Sequence, residues 1–160
     1  MATKQKITPC LWFDGQAEEA INHYISIFKD GRIISKTLCG DAGPGPKGSL
    51  LVATFEVAGQ QFIALNGGPM FKFSEAISLS VDCTSQAEVD DLWEKLSAGG
   101  AKSQCGWLKD KFGMSWQIVP SRLPELLQDP DPAKTARVMQ ALWKMAKIDV
   151  AKLEAAYAGN

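Results

Sequence analysis

The apolar positions change period several times along the chain, and each change marks an element. Ile7 to Phe13 alternates and predicts a strand, ended by the turn pair Asp14-Gly15. From Gln16 to Lys29 the period lengthens to that of a helix, with Ala17, Ala20, Ile21, Tyr24 and Phe28 on one face. Asp30-Gly31 should end it, with glycine in the left-handed position that follows a helix. Arg32 to Cys39 returns to strand character, and Gly40 to Gly48 is a loop of glycine and proline. Leu51 to Val57 and Gln61 to Asn66 predict two strands turned about Ala58-Gly59-Gln60. The order is β-α-β-β-β.

The same order then begins again. Ala76 to Cys83 predicts a strand carrying Ile77, Leu79 and Val81. Ser85 and Glu88 form a capping box that opens a helix with Val89, Leu92, Trp93 and Leu96 on its apolar face. Ala98-Gly99-Gly100 ends it, and Ala101 to Trp107 and Phe112 to Val119 complete a shorter unit with one poorly formed strand. In the last strand, Met114, Trp116 and Ile118 face one way, and Ser115, Gln117 and Val119 the other. Ile7, Leu11, Gln16, Ala17 and Glu18 stand 70 residues before Ile77, Val81, Gln86, Ala87 and Glu88, although the helical stripes match better at 68. The repeated order of elements is the stronger sign of duplication. A third part follows. Pro124 to Leu127 predicts a helical turn. Asp131 caps a helix that starts at Pro132 and presents Ala133, Ala136, Val138, Met139, Leu142 and Trp143. Asp149 caps a last one with Val150, Leu153 and Tyr157, and these apolar faces must pack on a sheet edge, a partner subunit or both.

Composition narrows the function classes. A chain of 160 residues, 46% apolar and with net charge −1, is one ordinary globular domain. It has no basic run for nucleic acid and no apolar stretch near the roughly 18 residues that span a bilayer. The start, Met1 to Lys6, leads into Pro9, Asp14 and Gly15 rather than a signal-peptide core, so a cytoplasmic protein is expected. Cys10, Cys39, Cys83 and Cys105 are far apart and read as free, mostly buried thiols. The single histidine, His23, belongs at the surface of the first helix beside Tyr24.

Several segments together resemble a known group. They are Leu11-Trp12-Phe13 with Ala17-Glu18-Glu19-Ala20, Leu65-Asn66-Gly67-Gly68, Cys105 through Gly113, Ser115 through Pro120, and the tail from Asp129 to Asp149. The chain resembles the PhnB-like branch, labelled 3-demethylubiquinone-9 3-methyltransferase, of the glyoxalase, bleomycin-resistance and extradiol-dioxygenase (vicinal oxygen chelate) superfamily. The resemblance implies an α+β fold, with paired βαβββ modules forming a curved mixed sheet around a cleft. The modules would be about 5–68 and 74–121 of a single domain 1–160, with C-terminal helices over 122–160. It also implies a homodimer.

The superfamily's enzymes hold a divalent metal with side chains projecting into the cleft. Carried over position by position, that set is missing here. No histidine stands at Ile7 to Pro9, Glu75 to Ser78 offers only Glu75, and the last-strand glutamate becomes Gln117. No bound metal and no cofactor are expected. Gly43-Pro44-Gly45-Pro46-Lys47-Gly48 matches G-x-G-x-x-G by letter, but two prolines interrupt it and a strand follows. A nucleotide loop needs a helix N-terminus there. With Ile7, Leu11, Ile77, Leu79, Val81, Trp116 and Ile118 toward the helices, the opposite faces carry Thr8, Cys10, Trp12, Ser78, Ser80, Ser115 and Gln117. The candidate ligand-binding residues are Trp12 for stacking, Asn66, Ser78, Ser80 and Gln117. Trp107 and Lys109-Asp110-Lys111 read as a solvated loop, with a lid as the alternative. The leading expectation is metal-free binding of a small molecule of unknown identity. One alternative is a metal-dependent lyase, isomerase or transferase recruiting its ion through Glu75, Gln117 and water. Another is a resistance-type protein sequestering a flat or amphipathic compound between Trp12 and the partner subunit.

Overall fold

Strand pairing follows one pattern twice. The structure is a computed structural model and describes residues 4–160. Met1, Ala2 and Thr3, the start of the segment read above for a leader, lie outside the described residues. The first unit, ending at Phe73, contains β1 (Cys10–Phe13), α1 (Ala17–Phe28), β2 (Arg32–Leu38), β3 (Leu50–Val57) and β4 (Gln60–Asn66). The second begins at Ser74 and contains β5 (Ser78–Cys83), α2 (Gln86–Ser97), β6 (Ala101–Lys102), β7 (Trp107–Lys109) and β8 (Ser115–Pro120). Their sheets run β1-β4-β3-β2 and β5-β8-β7-β6. In each, the first strand is parallel to the last and the other pairs are antiparallel. The fold is α+β, two βαβββ modules with α3 (Arg122–Leu127), α4 (Pro132–Leu142) and α5 (Val150–Ala158) appended to the second.

Local chemistry explains the helix and hairpin boundaries. Ser85 accepts from the Glu88 amide at 3.1 Å, and Glu88 reaches back to the Thr84 amide at 2.8 Å. That is a capping box with its return bond one residue early. Asp131 and Asp149 accept from the Ala133 and Lys152 amides. The hairpin β3–β4 turns on Ala58 and Gly59, both at positive φ, as a two-residue loop demands. Helix α1 ends differently from the sequence expectation. Lys29 takes the left-handed conformation, and Gly31 is needed for space. A Cβ there would stand 2.8 Å from Ile25 Cγ1 and 2.9 Å from Val57 Cγ1.

Four other expectations are corrected. The predicted first strand starts only at Cys10, and Ile7 is 84% exposed rather than helix-facing. Pro9 lacks an N–H and extends the ladder only through its carbonyl, which accepts from Ile63. Ile77 likewise precedes β5 and is 57% exposed. The predicted strand Ala101 to Trp107 is two strands, because Cys105 and Gly106 at positive φ turn the chain between β6 and β7. That supplies the fourth strand. Trp143 is 64% exposed rather than part of the buried stripe of α4, which narrows to Val138 and Leu142. Cys10 is an exposed thiol, while Cys39 and Cys83 are buried and all four are free.

The charged turn after β7 is the largest surprise. Asp110 is 2% exposed rather than solvated. Its Oδ1 accepts from the Phe112 and Met114 amides at 2.9 and 3.0 Å. Its Oδ2 accepts from the Trp116 indole at 2.9 Å. The carboxylate therefore fixes the turn and the first core residue of β8 together. Trp116 and Ile118 are buried on the face that α2 covers, which contributes roughly 2–3 kcal/mol for each side chain.

The C-terminal helices pack on one another through Leu123, Leu126, Val138, Leu142, Met145, Ile148 and Leu153. They are tied to the second module by main-chain bonds from Cys105 to Met145 and from Gly106 to Ala146, both 2.8 Å. Gln86 bonds both Ile148 O and Val150 N. Arg122 grips Glu154, Tyr157 donates to Asp129, and Lys147 pairs with Asp90. Each partner holds its carboxyl below the usual carboxylate range, chiefly through the hydrogen bond.

Two outcomes are expected. Asp110→Ala should cost about 3 kcal/mol in urea unfolding, since it strands a buried indole N–H and two amides, and Asp110→Asn should cost less. Depressed carboxyl values add stability above the ordinary carboxylate range, and that stability is lost as pH falls through the folded values. Acid should therefore lower the unfolding midpoint, and Glu154→Gln should show a smaller acid-dependent drop than the wild-type chain.

Candidate functional site

One face of the second sheet carries the polar residues. In the β5–β8 register, Ser78 stands beside Ser115, Ser80 beside Gln117 and Asp82 beside Val119. Across the other edge of β8, Trp107 stands beside Gln117 and Lys109 beside Ser115. Partners in register share a face, so Ser78, Ser80, Trp107, Lys109, Ser115 and Gln117 lie on the side opposite the buried Trp116 and Ile118. Gln117 Nε2 donates to Ser78 Oγ at 2.9 Å. That bond holds the amide of a residue that lines a ligand-sized hollow.

Two hollows share Trp107 in their lining. The larger, about 460 Å³, has Ser80, Trp107 and Gln117 on its sheet side and Leu123, Leu127 and Leu142 of the C-terminal helices on the other. The smaller, about 280 Å³, is lined by Glu75, Lys102, Ser103, Lys109 and Ser115 as well as Trp107. Glu75 pairs with Lys109, whose hydrogen bond holds its carboxyl below the usual range. At the far end of β5, the Cys83 thiol is pushed up to about 12 by burial and by Glu88 and Asp82. It remains an uncharged thiol near neutrality.

In the first unit, the two candidate residues have local tasks. Asn66 Oδ1 accepts from Ala17 N, and its Nδ2 donates to Leu50 O, both at 2.9 Å. It caps α1 from outside, where Gln16 makes no side-chain cap. The Trp12 indole donates to Gly68 O at 2.9 Å and meets Phe71 edge-on at 5.0 Å. Gly67 lies so close that a Cβ there would stand 2.4 Å from the ring. A further hollow of about 290 Å³ touches Asn66, Gly68 and the glycine-proline loop. That loop leads into β3 rather than a helix. His23 is half-buried, with its ring 5.9 Å from Tyr24.

A residue-profile comparison matches the 3-demethylubiquinone-9 3-methyltransferase family over residues 5–119. The chain belongs to this family, the PhnB-like branch of the vicinal oxygen chelate superfamily. A PhnB protein of Bacillus cereus bearing the same methyltransferase description is 38% identical. It matches over 73% of this chain and 100% of its own, with TM-score 0.68. Protein PA1353 of Pseudomonas aeruginosa shares the fold at 24% identity, 73% and 98% coverage and TM-score 0.61. So does the fosfomycin resistance protein FosX of Listeria monocytogenes, at 16% identity, 79% and 99% coverage and TM-score 0.55. FosX has been seen complexed with Mn(II). No curated protein matched the chain.

Among the described residues, no donor set fits such an ion: no three of His, Cys, Asp and Glu gather as metal ligands. Gln117 lines the larger hollow and Glu75 the smaller, where it is bound to a lysine. Of the candidate residues, the structure brings Ser78, Ser80 and Gln117 together. Sequence reading missed Trp107, Lys109 and the three leucines as lining. Continuing the alternation from Cys105 through Trp107 to Lys109 would have marked one face. The leucines carry no such mark, since they are ordinary helix-packing residues until the tail folds back.

Asn66→Ala should cost about 2 kcal/mol in thermal or urea unfolding, because it strands a helix N–H and a β3 carbonyl. An unchanged midpoint would show that Asn66 has no capping role.

Proposed function

We propose that this PhnB-like protein binds a small amphipathic molecule on the Trp107 face of its second sheet, without a resident metal. The observation that carries the reading is Gln117. Its amide is half-buried, oriented by Ser78, and placed beside an indole at the floor of an apolar-walled hollow. A ligand would lay an apolar body between Trp107 and the leucines of α3 and α4. It would reach Gln117 Oε1 and Ser80 with a donor group. Trp107 takes the stacking role that the sequence suggested for Trp12, whose indole is already engaged by Gly68 and Phe71.

The methyltransferase description of the family has no support in the glycine loop, which opens a strand and offers no helix N-terminus to a nucleotide. We read the protein as a cytoplasmic homodimer. Among the described residues no helix is long and apolar enough to cross a membrane. Exposed Ile7, Met70 and Phe71 in the first unit, and Ile77 and Trp143 in the second, leave apolar surface that a second copy would cover.

The test is a fluorescence titration with the neutral, flat probe N-phenyl-1-naphthylamine. Binding should survive chelator treatment and the Trp12→Phe change. Trp107→Ala should weaken it about tenfold, the effect of losing roughly 1.4 kcal/mol of stacking and packing. Binding that depends on Trp12 and ignores Trp107 would overturn the reading.

A further inference from the structure

Ser115 is 1% exposed, and its hydroxyl has no hydrogen-bond partner in the protein. A buried hydroxyl without a partner costs about 1–3 kcal/mol, so such groups usually meet a water, an ion or a ligand. Ser115 lines the smaller hollow. Its register partner across the ladder is Lys109, which lines the same hollow. Lys109 is not idle. Glu75, arriving from the segment before β5, lays its carboxylate on the Lys109 ammonium.

These positions fit an oxyanion site whose own chain supplies a stand-in. We infer that the smaller hollow receives a small oxyanion on Lys109 and the Ser115 hydroxyl, and that Glu75 occupies Lys109 until the oxyanion displaces it. The inference rests on the Trp107 face being the ligand surface, and it names the ligand class: an amphipathic molecule with a carboxylate, sulfate or phosphate end. Trp107 lines both hollows, so one ligand can set its apolar body in the larger and its anionic end in the smaller. A lysine and a hydroxyl are the donor types that an oxyanion needs, one for charge and one for direction. The Glu75–Lys109 pair is solvent-exposed on both sides, 62% and 43%. A pair so exposed is weak and exchanges readily for another anion. Lys102, on the same rim, is bound by Glu94 at 2.8 Å and stays outside the proposed contacts.

The experiment follows amide signals of Lys109 and Ser115 by NMR while sodium sulfate, sodium phosphate or sodium acetate is added. Sodium chloride at matched ionic strength is the control. Saturable shifts with at least one oxyanion and none with chloride are expected. Glu75→Gln should tighten that binding about threefold or more by removing the competitor. Lys109→Met should abolish it, and Ser115→Ala should weaken it while the rest of the spectrum stays folded. Shifts shared with chloride, or oxyanion binding indifferent to Glu75→Gln and Lys109→Met, would overturn the inference and leave water as the partner of Ser115. The neutral naphthylamine titration is independent of these residues. Its failure would sink the Trp107 reading, while its success with no oxyanion binding would sink this inference alone.

Discussion

The second module is organised around one buried carboxylate. Asp110 accepts from two amides of the turn and from the Trp116 indole. A charge taken from water is tolerated only when it is fully hydrogen-bonded, and three donors meet that condition. The consequence runs down β8. With the turn and Trp116 fixed, the β7–β8 register sets Trp107 beside Gln117 and Lys109 beside Ser115. A slip of one residue would send Gln117 to the helix side and Trp116 to the hollows. The candidate site therefore depends on a register that the Asp110 hydrogen bonds help to hold.

The two modules share topology but use their faces differently. In the first, Trp12, on the face away from α1, lies against Gly67 and Phe71, while Asn66 shares the helix side with Phe13 and is turned to backbone bonds. In the second, the corresponding sheet face keeps polar groups open and gains an apolar wall from the C-terminal helices. Both units have the same strand topology, and the appended tail makes the halves unequal. Helices α3 to α5 are held by main-chain bonds to Cys105 and Gly106. A side chain at Gly106 would press on Ile118 O and Ile148 Cδ1, both 2.8 Å from the Cβ position. The tight passage that splits β6 from β7 is thus also where the tail attaches.

The element order of the first unit, the capping residues and the turn at Ala58-Gly59 were legible because each depends on neighbours within a few positions. Gln117 was legible as an outward polar residue because alternation within β8 is local. Trp107 and Asp110 were misread for one reason. Glycine and charge around them suggested solvent, and the residues that bury Asp110 do so through a fold that local composition does not encode. Ile7 and Ile77 were placed toward the helices by extending the strand alternation too far, since each stands before its strand begins.

By itself the sequence determined the β-α-β-β-β order of the first unit, the start of the same order in the second, and the resemblance to the family. Those are matters of residue identity and short-range period. Tertiary structure alone decided that Trp107, Lys109 and Ser115 share a face, that Glu75 rests on Lys109, and that leucines over 120–142 wall a hollow on a sheet formed earlier in the chain. Ladder register and the return of the tail are set by packing and hydrogen bonds between residues distant in sequence, which no local pattern records.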